Sequence, residues 1–185
     1  MVANLAGALV RLRRMDEAAA WLAKAIPRVR SEGFPPEHAM RFEASLLWAQ
    51  GKPALAIALL EPSLTHANPK DSRSPTFANR LLLAEILLDE RDTERAARAI
   101  DGMQAAAEVG DRNHRKAHVL GKRARWHNLA GRPAEAQAAA EELLKHLPSF
   151  VPEAQRSNHR GHALLELAIA LAAQVVHELV EFDER

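Results

Sequence analysis

Four alanines, Ala18, Ala56, Ala96 and Ala136, recur at intervals of 38, 40 and 40 along the chain. Twelve positions before each stands another, at Ala6, Ala44, Ala84 and Ala124. This double ladder constrains the chain more than any other feature of its sequence. Helices whose axes approach to about 8–10 Å leave no room for a branched side chain where they cross. Each alanine pair therefore marks two helices in contact, and the common period marks one two-helix unit repeated four times. The expected fold is all-α, an α-solenoid of about four helix–turn–helix repeats followed by a long C-terminal helix.

Glycine and proline set the unit boundaries. Gly51-Lys52-Pro53 and Gly131-Arg132-Pro133 each place a glycine after one helix and a proline at the start of the next, as helix ends and starts prefer. The repeats are expected at about residues 1–35, 36–74, 75–111 and 112–150, within one domain spanning 1–185, with the terminal helix over 155–183. In the first, Leu5, Ala6, Leu9 and Leu12 form one stripe and Ala18, Leu22 and Ala25 the next; Asp16 is expected to cap the second helix. Pro27 should kink that helix, and Phe34-Pro35-Pro36 should end it. In the second, a helix over Pro36–Gln50 precedes one that starts at Pro53 and should kink or end early at Glu61, before Pro62. His66–Ser74 reads as a polar loop. The third begins at Ser74-Pro75-Thr76, resumes near Asp92 and stops at Gly110-Asp111. The fourth begins near Asn113, carries Ala136, Ala140 and Leu143, and should close at Pro148. A linker over Ser149–Ser157 then leads to the last helix. From Ala163 to Val176 that helix is apolar at nearly every position, so more than one of its faces requires burial.

Composition bears mainly on what the chain does not do. Hydrophobic residues make up 48% and net charge is +1, which allows a sizeable core without a general bias towards nucleic acid or anionic membranes. With no cysteine, disulfides, thiol catalysis and thiolate metal sites are excluded. The N-terminal apolar run is followed rather than preceded by basic residues, the wrong order for a signal peptide, and no run reaches the ~20 residues of a membrane span. A cytoplasmic protein is the expectation, and the excess of Arg over Lys together with abundant Ala suggests a bacterial source. No Gly-rich phosphate loop, nucleophile elbow or loop carboxylate pair is present, so neither an enzyme nor a bound cofactor is expected.

The residues Leu5-Ala6, Ala18, Leu22 and Ala25, and again Ala124, Ala136, Ala140 and Pro148, resemble the tetratricopeptide repeat. The period is longer than that family's ~34. Such lengthened repeats are similar to those of MalT-type bacterial signalling regulators and of kinesin light chains; HEAT and armadillo arrays, with a period near 40, are the rival. The resemblance implies a right-handed solenoid whose first helices line a concave groove that binds a protein or peptide. Projected onto this chain, the groove positions are His38, Arg41, Ser45 and Trp48 in the second unit, Glu85 in the third, and His118, Lys122, Arg125 and Asn128 in the fourth. Lys122 and Arg125 are expected to be exposed. The carboxylate clamp of the chaperone-binding members is not reproduced, because Ala3 and Gly7 occupy its positions in the first unit.

Between Arg112 and Arg132 lie seven basic residues and no acid. A wall of arginine forks suits an acidic or phosphorylated peptide, whereas a solvated charged face is the plainer reading. Nucleic-acid binding is disfavoured, since aromatic residues do not interleave with the basic ones. His114 with His118, and His159 with His162, have helical spacing, but zinc needs a third ligand and a second shell, and no metal is expected. Trp21 reads as core, Trp48 as a groove edge, and Trp126 as core packing near that edge. The apolar last helix reads first as a long closing helix lying across the fourth unit's second helix. The alternatives are self-association as a homodimer, which would be a second function, and a domain boundary with the next helix missing. Its acidic tail (Glu178, Glu181, Asp183, Glu184) reads as a solvated end.

Overall fold

The computed structural model describes residues 9, 14–32, 36–62, 76–108, 113–151 and 153–183. Among these residues the chain is all-α, with eight helices and no strand. They are α1 (Met15–Ser31), α2 (Pro36–Ala49), α3 (Pro53–Leu60), α4 (Thr76–Asp89), α5 (Thr93–Ala107), α6 (Asn113–Leu129), α7 (Pro133–Phe150) and α8 (Glu153–Asp183). The chain divides into two compact units, Met1–Glu90 and Arg91–Arg185.

In the first unit α1 packs on α2, α2 on α3, and α4 on both α2 and α3. In the second, α5 packs on α6, α6 on α7, and α8 on both α6 and α7. The alanine ladder sits at the centre of this packing. Ala18, Ala44, Ala56, Ala84, Ala96, Ala124 and Ala136 all have no exposed surface; Ala6 lies outside the described residues. Around these points the larger apolar residues close the core. Leu22, Leu60, Leu83 and Leu87 do so in the first unit, and Ile100, Met103 and Leu143 in the second.

The turns follow the glycine–proline logic. Gly51 has φ +71° and Gly131 φ +69°. After α2, the Gly51 N–H donates to Trp48 O at 2.9 Å and the Lys52 N–H to Leu47 O at 2.9 Å. After α6, the Gly131 N–H reaches Asn128 O at 3.2 Å and the Arg132 N–H reaches His127 O at 2.9 Å. Both are the crossed pairs of a Schellman ending, which needs a left-handed residue at its centre. Arg91 lies midway in sequence between these two glycines and adopts the same conformation, φ +60°. A side chain there carries a left-handed penalty of about 1–2 kcal/mol. Arg91→Gly is therefore expected to stabilise the chain by about 1 kcal/mol, after allowing for the greater freedom of glycine when unfolded. A rise in the urea midpoint at constant m-value reads this out; a fall would mean that the arginine makes a contact outweighing its strain.

Several helix ends differ from expectation. Asp16 is not the cap of α1. Arg14 occupies that position without a side-chain cap and instead grips Glu17 at 2.6 Å and 2.7 Å, which leaves Asp16 in the first turn, where its charge suits the helix dipole. Asp92 does cap α5, accepting the Arg95 N–H at 3.0 Å. α3 ends at Leu60 with Glu61 at its C-cap; Glu61 keeps right-handed helical dihedrals and Pro62 is again helical. Pro148 does not close the fourth unit: α7 runs through it to Phe150. The long linker expected after it is absent, because α8 already starts at Glu153 and spans 31 residues. Arg156 makes this short corner possible, donating to Val151 O at 2.9 Å and Pro148 O at 3.0 Å, while Val151 is buried. The expected loop His66–Ser74 and the stop at Gly110-Asp111 lie outside the described residues. No helix among the described residues is long and apolar enough to cross a membrane.

Candidate interaction surface

The projected groove positions fall into two sets, one per unit. In the first unit, His38, Arg41, Ser45 and Trp48 lie on α2 and Glu85 on α4; the His38 side chain is outside the described residues. Arg41 is half-buried, lies 5.4 Å from the Phe42 ring centroid, and is pushed below its ordinary pKa by burial. Ser45 turns back to donate to Arg41 O at 2.9 Å. Trp48 packs on the small cluster of Leu9, Ala18 and Ala49, so it buttresses the α1–α2 contact. Trp21, expected in the core, is 46% exposed. The buried stripe of α1 is Ala18, Leu22, Ala25 and Ile26, and Trp21 falls beside it. Glu85 is half-buried.

In the second unit, the structure brings three of the four projected residues of α6, His118, Lys122 and Asn128, towards α8. Asn128 Nδ2 donates to both the main-chain oxygen and Oε2 of buried Glu166, each at 2.9 Å. The rings of His118 and His159 meet edge to face, with centroids 4.6 Å apart. Burial lowers the His159 pKa, reinforced by the positive charges of His162, Lys122 and His114. The histidines of α6 and α8 thus share one neighbourhood, but no group of three His, Asp or Glu among the described residues could hold a metal ion. Lys122 and Arg125 are half-buried rather than exposed.

Much of the basic stretch has internal work. Arg115 is buried and donates to Ala106 O at 2.9 Å. Arg123 pairs with Asp101 at 3.5 Å. Arg132 lies 5.3 Å from the Trp126 ring centroid, and the Trp126 indole N–H donates to Thr93 O at 2.9 Å. Arg112 lies outside the described residues.

α8 is the less expected part of the surface. It packs against the α6–α7 pair as α4 packs against the α2–α3 pair. Its contact point is Ala163, fully buried and close to one repeat period after Ala124. Ala163 is thus a fifth rung of the first-helix ladder, legible in the sequence had the period been carried one step further. Asn128–Glu166 fixes the register of α8 on α6, and Gln174, donating to Gln137 Oε1 at 2.9 Å, fixes it on α7. The buried face carries Ala163, Glu166 and Ala170. On the other side Leu164, Leu165, Ile169, Leu171, Val175 and Val176 are between 43% and 60% exposed. Isolated exposed leucines are ordinary, but six large apolar residues clustered on one helix form a patch of the kind that marks an interaction site. Comparison with known proteins adds nothing to this geometry: no family model, no curated protein and no solved structure matches the chain.

Proposed function

We propose that this chain is a non-catalytic protein-binding module, a scaffold or regulatory domain built as a right-handed solenoid of tetratricopeptide-like hairpins, and that it docks partners through the outer face of α8. The carrying observation is that face: a continuous apolar surface on a helix whose opposite side is already committed to α6 and α7. Burying apolar area contributes about 25 cal/mol per Å2, so such a patch gains most from an apolar partner surface. The basic groove contributes less to this reading. Asn128 is committed to Glu166, and Arg115, Arg123 and Arg132 are engaged within their own unit.

The test uses three baits in parallel in a native lysate: wild type, Leu165→Glu/Val175→Glu and Lys122→Glu/Arg125→Glu. All the altered side chains are at least half exposed or half-buried at the surface, so circular dichroism should show unchanged helicity. A protein, whether this chain or another, that is retained by the wild type and the groove variant but lost by the α8 variant supports the reading. Loss on the groove variant alone would move the site to α6.

A further inference from the structure

We infer that the partner of this α8 face is a second copy of the same chain, docked as an antiparallel α8–α8 pair about a two-fold axis near Ile169. This inference rests on the α8 reading above and names its occupant.

The first argument is the path of the helix. In the α2–α3 and α6–α7 pairs the chain turns seven positions after the buried alanine of the first helix, from Ala44 to Gly51 and from Ala124 to Gly131. In α8 the corresponding position after Ala163 is Ala170. The helix continues through it without a break to Asp183. A second helix, which in the other pairs runs back along the first, does not form from this part of the chain. A second copy's α8, running antiparallel, would take that place.

The second argument is charge. Arg160 is exposed near the start of α8, and Glu178 lies further along the same continuous helix. At about 3.6 residues per turn, the step from position 160 to position 178 is five whole turns. Both positions therefore lie on one flank of the helix, at opposite ends of the apolar run. The midpoint between them is position 169. In an antiparallel pair with its two-fold axis there, position 160 of each copy faces position 178 of the other, joining opposite charges twice. A parallel pair would place like charges together. Flanking charges of this kind set orientation in helix pairs. The same axis sets apolar positions of the exposed face against each other, Leu165 opposite Ala173 and Ile169 opposite itself, as an isologous interface requires.

The third argument is area. The six exposed apolar side chains present on the order of 550 Å2 per copy, so a pair buries about 1,100 Å2, within reach of the roughly 1,000 Å2 that a specific interface needs.

Sedimentation equilibrium of the full chain tests this. The wild type is expected to dimerise below about 100 µM, and Leu165→Glu/Val175→Glu to weaken the dimer by more than about a hundredfold. Arg160→Glu and Glu178→Arg should each weaken it by about tenfold, because each places like charges together twice. Combining the two swaps should restore wild-type affinity. A wild type that stays monomeric at about 100 µM overturns the inference, and so does a dimer indifferent to the single swaps, which would have another geometry. If the chain is monomeric yet the α8 variant still loses a different protein in the lysate comparison, only the choice of partner is wrong. If neither depends on α8, the docking reading itself fails.

Discussion

Leu143→Ala is expected to destabilise the second unit by about 3 kcal/mol, the typical loss for emptying a leucine site in a packed core. Leu143 has no exposed surface and closes a cluster with Ala117, Leu147, Val151 and Ala163. It is thus a contact shared by α6, α7 and the start of α8. Its Cδ2 also lies 3.7 Å from where a Cβ on Gly121 would stand, so α6 already approaches closely and has little room to collapse further into the space. For a unit of this size the loss corresponds to a fall in melting temperature of more than about 10 °C. Urea unfolding followed by Trp126 fluorescence, in a Trp21→Phe/Trp48→Phe background, reports on this unit, since Trp126 is then the one remaining tryptophan. A loss below about 1 kcal/mol would mean that the neighbours refill the site.

Ala124→Leu tests the opposite error and should cost at least about 2 kcal/mol, because extra methyl groups in a filled crossing force rotamers and backbones apart. Ala124 is fully buried in a cluster with Ala139 and Ala140, against which Leu167 of α8 packs. The alanines of α7 offer no flexible side chain that could yield, so the helices themselves must separate. The comparison substitution Ala130→Leu, at the half-buried end of the same segment, should be far milder. Equal losses at the two positions would remove the steric meaning of the ladder.

How much of this was legible in the sequence depended on the kind of signal. The ladder placed seven alanines at fully buried positions, because close helix packing tolerates only one small size there. The glycines were equally readable, since a positive φ leaves few alternatives. Arg91 shows the limit: it takes a glycine's conformation without being one, and only its place in the repeat register betrays it. The corner after α7 was misread because Pro148 resembles a terminator, yet the helix passes through it and Arg156 satisfies the carbonyls beyond. On the surface, charge and helical phase suggested a basic groove on α6. They could not reveal that α8 returns to Asn128 and His118, because that depends on tertiary contacts between positions far apart in the chain. Conversely, the excess of apolar residues on α8 was plain, but which half stays uncovered required the fold.

The pattern of helix contacts has a kinetic consequence. Among the described helices, each extensive contact joins neighbours or next neighbours along the chain. Few distant segments have to meet before a contact is gained, and chains with such local wiring fold quickly for their size. Hairpins such as α6–α7 can form first and recruit the next helix in turn, so docking of α8, which needs both of them in place, is expected to come late in the folding of its unit.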